Sequence, residues 1–210
     1  MSDTPAGDAP AKQRVVLASA NPKKVAELAA LLAEHAPQLE LIARPADVPE
    51  VIEDEDTFVG NARLKAVALV EATGDAALAD DSGLEVDHLG GAPGVRSARY
   101  AGEGASDADN VALLLDELQR RGAMEPEQRT ARFRCVILLR WPDGAELIAD
   151  GSVEGTIALE PRGMGGFGYD PVFLPLEGFG RSFGEMSSDE KHEISHRGRA
   201  LRSLVAQLEA

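Results

Sequence analysis

The stretch Arg14-Val15-Val16-Leu17-Ala18-Ser19-Ala20-Asn21-Pro22-Lys23-Lys24-Val25 decides the fold class. Its first half is a short, β-branched apolar run, which reads as a buried strand. Asn21 then offers a helix cap, and Pro22 stands where proline suits the first helical turn. Val25, Leu28, Ala29 and Leu32 follow at i, i+3, i+4 and i+7, giving that helix one apolar face. Leu39 to Ala43 is apolar again and reads as a second strand. Strand, helix and strand in this order favour parallel pairing and an α/β fold.

Working outward, Arg44 to Asp56 is an acidic, proline-bearing loop. Asp56 or Thr57 caps a helix reaching about Thr73, with Phe58, Ala62, Ala66 and Leu69 inward. Ala76 to Asp80 reads as a third strand that ends in an Asp80-Asp81-Ser82-Gly83 turn, and Leu84 to His88 as a short returning strand. A glycine-rich loop, 90–106, leads to a helix marked by Val111, Leu114, Leu115 and Leu118. Ala131, Phe133, Cys135, Ile137, Leu139 and Trp141 alternate cleanly, so a long strand runs there. Pro142-Asp143-Gly144 turns it, and Leu147 to Leu159 returns, antiparallel where the first half was α/β. Asp170 to Pro175 is a further strand. The C-terminus is helical, with Ser188 and Ser195 as caps and Leu201, Leu204, Val205 and Leu208 as the buried stripe.

Composition narrows the partners. Lys+Arg 21 against Asp+Glu 36 leaves a net charge of -15 over 210 residues, which disfavours wrapping nucleic acid or docking on anionic lipid. No apolar run is long enough for a membrane span, and Met1 to Gln13 has no signal-peptide core; it reads as a disordered tail before a single domain, 14–210. The single cysteine, Cys135, lies in an apolar context and reads as a core residue; a chain without disulfides suits the cytoplasm.

Five segments carry chemistry. Ser19 to Lys24 puts free backbone N–H groups at a helix start, an anion site by construction. Lys23 and Lys24 oppose the helix dipole there, which a bound anion explains; two solvated lysines are the plainer alternative. Asp80 and Asp81 are adjacent carboxylates that repel unless a cation or a base role compensates; hard oxygens point to Mg²⁺, and a polar turn is the alternative. Glu53-Asp54-Glu55-Asp56 reads as a solvated run with room for one metal ligand. Gly163 to Gly168 contains Gly-x-Gly-x-x-Gly, but an extended Asp170-Pro171-Val172 follows it, so it is no dinucleotide fingerprint. Its Phe167 and Tyr169 instead suit stacking on a flat ligand, or packing in the core. Lys191 to Gly198 is a helix surface or a donor cluster, His196 and Arg197 offering donors to a base edge. Lys23, Lys24 and Lys191 fall in these segments and Lys65 on the helix that follows the acidic run, which points to a local positive pocket.

In register, these segments resemble the inosine triphosphate pyrophosphatase family, the dITP/XTP pyrophosphatases. The motifs are Ser19-x-Asn21-x-x-Lys24, Thr57-Phe58-x-x-Asn61-Ala62-x-x-Lys65-Ala66, Ala79-Asp80-Asp81-Ser82-Gly83-Leu84, Gly90-Gly91-Ala92-Pro93-Gly94-x-x-Ser97-Ala98-Arg99-Tyr100, Gly166-Phe167-Gly168-Tyr169-Asp170-Pro171 and Ser195-His196-Arg197-Gly198. The resemblance runs from Val15 to about Leu208. It implies an elongated mixed sheet flanked by helices, with two lobes and a cleft between them, usually as a homodimer. It implies Mg²⁺-dependent hydrolysis of ITP, dITP and XTP to monophosphate and pyrophosphate.

By position it implies that Ser19, Ala20, Asn21, Pro22, Lys23, Lys24 and Lys65 cradle the triphosphate. Asp81 matches the catalytic acidic residue, with Asp80 able to share its role through the same metal, and Ser82 a substrate contact. Glu53 and Asp81 match the metal ligands. Phe167, Gly168, Tyr169, Asp170, Lys191, His196 and Arg197 match the base pocket. The family often carries Glu-x-Gly-x-Thr-Phe where this chain has Glu53-Asp54-Glu55-Asp56-Thr57-Phe58, so Glu55 stands as the alternative ligand to Glu53.

Overall fold

The computed structural model describes residues 12–19 and 21–210. The expected tail therefore lies outside the described residues up to position 11, and Gln13 already belongs to the first strand. In chain order the elements are β1 (Gln13–Leu17), α1 (Pro22–His35), β2 (Leu39–Ile42), α2 (Phe58–Thr73), β3 (Ala76–Val86), α3 (Asp107–Arg120), β4 (Thr130–Arg140), β5 (Glu146–Ile157), β6 (Phe173–Pro175), α4 (Ser188–Ile194) and α5 (His196–Leu208). A six-stranded sheet joins them in the order β2-β1-β3-β4-β5-β6. The pairs of β1 with β2 and with β3 are parallel, and the rest are antiparallel. The mixed α/β sheet is the one the sequence implies.

The alternation in β4 decides the layers. Cys135, Ile137 and Leu139 face a cluster built with α1 and α5 (Leu28, Leu32, Leu201, Leu204). Val136 and Leu138 face the opposite cluster, with Phe58, Ala62, Ala66 and Leu69 of α2. Farther along the long strands, Phe133, Val153 and Phe173 join Leu114 and Leu118 of α3 in a third cluster. Both faces of the central strands are thus buried, and Cys135 is fully buried among them.

The caps explain the helix bounds. The Thr57 hydroxyl accepts the Gly60 N–H at 3.0 Å, and Gly74 ends α2 in the left-handed conformation. Ser106 and Asp109 form a reciprocal capping box on α3. Ser195 caps α5 as expected, whereas Ser187, not Ser188, caps α4. Its partner in the capping box is Glu190, three residues on, a spacing only Ser187 satisfies.

Two strand expectations are corrected. Asp80-Asp81-Ser82-Gly83 is not a turn, and Leu84 to His88 does not return as a separate strand. The whole of Ala76–Val86 is one strand, paired with β4 without interruption from Ala77↔Arg140 to Val86↔Ala131. Ten consecutive ladder positions outweigh the local turn chemistry. The final strand is also shorter than Asp170 to Pro175: the Val172 and Phe173 N–H groups both bond back to the Tyr169 carbonyl, so extended pairing begins only at Phe173.

This topology opens the site. β1 stops pairing with β3 at Leu17↔Leu78, and the chain leaves toward α1 after the Ala18 N–H bonds to the Leu78 carbonyl. From Asp80 onward β3 has lost that neighbour. A cleft opens there, where a parallel strand of an α/β sheet ends.

Candidate active site

Adjacent residues of a strand point to opposite faces, so Asp80 and Asp81 enter different surroundings. Asp80 turns toward α1 and α5. Its Oδ2 lies 3.5 Å from Lys24 Nζ and 3.4 Å from an Arg197 amino group. Asp81 turns toward α2. Its Oδ2 accepts the Asn61 side-chain N–H at 3.0 Å, and its Oδ1 lies 3.6 Å from Lys65 Nζ. Lys65 also donates to Glu53 Oε1 at 3.2 Å and to the Asp80 carbonyl at 2.5 Å.

These surroundings push the two acids apart. Burial raises the pKa of Asp81, and Lys65 only partly opposes it. Burial pushes Asp80 the same way, but Lys24, Arg197 and Lys65 outweigh it and hold that carboxyl well below the usual range. Asp81 is therefore the better proton acceptor of the pair, and Asp80 is a fixed negative charge.

Arg197 is fully buried and spends its fork inside the protein: one amino group pairs with Glu27, and the other donates to Asp80 and, at 3.1 Å, to the Ser82 hydroxyl. His196 stacks on Phe133 with ring centroids 4.7 Å apart. Its burial, reinforced by Arg197 and Lys191, drives its pKa well down, so the ring is neutral. Lys191 donates to Asp170 at 2.8 Å and sits over the Phe167 ring, 4.8 Å from its centroid.

The Phe167–Asp170 loop is tied on several sides. Asp170 accepts the Phe167 N–H at 2.8 Å, Asp107 accepts the Gly168 N–H at 2.8 Å, and the Tyr169 hydroxyl donates to the Ser97 carbonyl at 2.9 Å. Among the described residues, the buried side-chain atoms without a hydrogen-bond partner are Glu27 Oε1, His196 Nδ1 and Arg197 Nε. His196 and Arg197 line this end of the cleft, and Glu27 lines the adjoining cavity with Phe167 and Lys191.

The sequence-predicted residues thus converge. Asn21, Lys24, Ser82, Phe167, Gly168, Tyr169, Asp170, Lys191, His196 and Arg197 line one end, and Ser19, Asn21, Lys24, Glu53, Lys65, Asp81 and Ser82 line the other. Asn21, Lys24 and Ser82 belong to both. Pro22 opens α1, and Lys24 N–H reaches Asn21 Oδ1 at 3.4 Å. Ala20 and the Lys23 side chain lie outside the described residues. Tyr169 is buried, with its hydroxyl on the Ser97 carbonyl, so it supports the loop from behind.

Glu53 and Glu55 part ways. Glu53 lines the cleft, and Arg99 holds its carbonyl at 2.5 Å. Glu55 packs over the first turn of α2, where a Cβ on Gly60 would fall 2.7 Å from its own Cβ. No group of three His, Cys, Asp or Glu able to hold a metal exists among the described residues. The pair Glu53 and Asp81 nonetheless suits Mg²⁺. The Lys65 ammonium already sits between their oxygens, and Mg²⁺ commonly takes one or two carboxylates and completes its shell with phosphate and water.

Some functional groups escaped the sequence reading. Glu27 is a buried acid on the apolar side of α1, beside Leu28, and Asn61, quoted within a motif but given no role, is a fully buried amide between Phe58 and Ala62. A polar residue on a predicted apolar face was the available signal for both. Asp107 and Arg44 gave none.

A family model described as the Ham1 family matches residues 15–207. A dITP/XTP pyrophosphatase of Desulforamulus reducens is 50% identical over 192 residues, covering 91% of this chain and 94% of the relative. Among solved structures, a HAM1 protein from Coxiella burnetii superposes with a TM-score of 0.84 at 43% identity, covering 94% of this chain and all of that one. A nucleoside-triphosphatase / dITP/XTP pyrophosphatase from Mycobacterium abscessus superposes with a TM-score of 0.72 at 44% identity, over 93% of this chain and 100% of the other.

Proposed function

The chain belongs to the Ham1 family, and on that premise we propose that it hydrolyses ITP, dITP and XTP to the nucleoside monophosphate and pyrophosphate. The observation that carries this reading is the shared middle of the cleft. Asn21, Lys24 and Ser82 line both the aromatic end, which suits a base, and the acidic end, which suits phosphates and a metal.

In this reading the purine stacks on Phe167, with Lys191, His196 and Arg197 around its edge. Cationic donors there match the O6 and N7 acceptors of a 6-oxo purine. Adenine brings an amino donor to the same place and leaves buried groups unpaired, a mismatch worth about 10⁴-fold. The α1 N-terminus, Lys24 and Lys65 hold the phosphates. Asp81 takes a proton from a water whose oxygen attacks the α-phosphorus. The bond from that phosphorus to the α,β-bridging oxygen breaks, and pyrophosphate leaves with the electron pair, its charge met by Lys24 and Lys65. Glu53 and Asp81 would hold Mg²⁺, which when bound neutralises phosphate charge and polarises the reacting phosphate. Asp80 keeps Lys24 and Arg197 in place.

The same proposal includes two lobes and a homodimer, as the family resemblance implies, together with a single domain over 14–210 and the cytoplasmic setting that a chain without disulfides suits. No described helix is long and apolar enough to cross a membrane. Light scattering that returns one chain mass sinks the dimer.

The test of the activity is pyrophosphate release from ITP, dITP, XTP, GTP and ATP with Mg²⁺. The expected result is turnover of the first three and little of ATP; GTP shares the 6-oxo edge, and its rate measures what the 2-amino group adds. Equal rates on ATP and ITP, or no pyrophosphate from ITP, overturn the assignment. Turnover confined to pyrimidine triphosphates would replace it with a different substrate class.

A further inference from the structure

Arg44 follows β2 and lines the acidic end of the cleft together with Ser19, Lys24, Glu53, Lys65 and Asp81. It also lines the adjoining cavity, which it shares with Ser19 and the Pro45–Glu50 segment, and it is absent from the aromatic end. Along the cleft the order is therefore Phe167 and Lys191, then Asn21 and Ser82, then Lys65 and Asp81, with Arg44 on the far side. A triphosphate whose base lies against Phe167 and whose α-phosphorus lies by Asp81 directs its terminal phosphate toward Arg44.

The partners of Arg44 suit that role. Lys24 and Lys65 each pair with buried carboxylates, Asp80 for one and Asp81 with half-buried Glu53 for the other. Arg44 has one hydrogen bond, to the Val48 carbonyl at 2.9 Å, and one loose ion pair, 3.7 Å from a Glu50 whose side chain is 76% exposed. An exposed pair at that distance is screened and weak, so exchanging it for a phosphate costs little. The Arg44 side chain as a whole is only 14% exposed, and a charge held out of water acts more strongly on an anion inside the cleft. Its planar fork matches two oxygens of one phosphate. The Val48 carbonyl bond fixes the fork before substrate arrives.

Resting on the proposed activity, we propose that Arg44 binds the terminal phosphate of the substrate and then the departing pyrophosphate. The experiment compares wild type, Arg44→Gln and Arg44→Lys for KM with ITP and for inhibition by inorganic pyrophosphate and by IMP. Thermal melts of all three check the fold. The expected result is about a tenfold rise in both KM and the pyrophosphate inhibition constant for Arg44→Gln, a smaller rise for Arg44→Lys and no change for IMP. A loop-shaping role alone would move IMP as well. Equal shifts for pyrophosphate and IMP, or no shift for pyrophosphate, overturn the proposal. A wild type that releases no pyrophosphate from ITP refutes the parent reading instead. Calorimetric titration of pyrophosphate into wild type and Arg44→Gln then still decides the role of Arg44, since equal affinities refute it.

Discussion

Exchanging Asp80 and Asp81 for asparagine, one at a time, separates a structural carboxylate from a chemical one. Asp80 is 3% exposed and faces Lys24 at 3.5 Å and the fully buried Arg197 at 3.4 Å. Asp80→Asn leaves both cations with one acid fewer and can turn an amide donor toward them. Breaking a buried pair from one side costs about 3–5 kcal/mol. At roughly 2–4 °C per kcal/mol for a domain of this size, the melting temperature falls by about 6–20 °C. The pH dependence follows the same logic. Lys24, Arg197 and Lys65 hold the Asp80 pKa down against burial, so its stabilisation is present above the usual carboxylate range and is lost as pH falls through and below it.

Asp81→Asn behaves differently. Its amide oxygen can still accept from Asn61, Lys65 keeps Glu53 and the Asp80 carbonyl, and the bond given up is the one from the Ser82 N–H. Burial already disfavours the Asp81 anion, so the neutral amide is tolerated. The expected melt lies within about 3 °C of wild type, roughly 1 kcal/mol. Loss of the general base lowers kcat by about 10²–10⁴ at saturating Mg²⁺, and because Asp81 is also a proposed metal ligand the Mg²⁺ requirement rises as well. Differential scanning fluorimetry and a pyrophosphate-release assay read both quantities. A stable Asp80→Asn alongside an active Asp81→Asn would refute the division of roles.

A methyl group on Gly151 would fall 2.2 Å from the His196 carbonyl and 2.3 Å from the Ala200 amide, so Gly151→Ala pushes α5 off the sheet. The expected loss is about 1–3 kcal/mol by urea unfolding, with a raised KM for ITP. His196 is buried and neutral, so the unfolded chain binds a proton that the native chain refuses. Stability should fall with pH below about 6.5, by at most about 1.4 kcal/mol per unit, and His196→Phe should flatten that slope in melts between pH 5 and 7. Asp107→Ala frees the Gly168 N–H, so amide exchange at Gly168 should accelerate and KM for ITP should rise several-fold while pyrophosphate inhibition stays put. Chelation by EDTA should abolish turnover, and Mg²⁺ should restore it; full activity in EDTA would remove the metal from the reading.

Legibility followed how local each cause is. The α2 helix was readable to within a residue because a cap at Asp56 or Thr57 and the apolar positions Phe58, Ala62, Ala66 and Leu69 act within a turn or two of themselves; the structure selects Thr57. The β4 strand was readable because every second residue from Ala131 to Leu139 is apolar, although burial alternates only to Arg134 and is continuous from Cys135 to Leu139. Asp80-Asp81-Ser82-Gly83 misled because its meaning is not local. Gly83 is small there because a Cβ would strike the Gly94 carbonyl at 2.2 Å and Ser97 Oγ at 2.6 Å, not because the chain turns. The candidate site showed the same divide. Ser19, Asn21, Lys24, Lys65, Asp81, Phe167, His196 and Arg197, which touch a ligand in the proposed reading, sat in recognisable motifs, whereas Arg44 did not. Glu27, which partners Arg197 from 170 positions away, did not.

The charge of the cleft runs against one expectation and strengthens another. Scarce lysines beside suspected anion sites suggested a locally positive pocket. Yet the acidic end is lined by Lys24, Arg44 and Lys65 against Glu50, Glu53, Asp80 and Asp81, three cations facing four carboxylates. Lys24, Lys65 and Lys191 each face a carboxylate in the free chain. A pocket balanced in this way has little net attraction for a triphosphate, and the surrounding charge of -15 repels it. Binding such a polyanion beside Glu53 and Asp81 therefore calls for an added cation, and two hard carboxylates spanned by an ammonium are where a divalent ion gains most. The acidity that excludes long phosphate polymers thereby selects a small anion that arrives with its own metal.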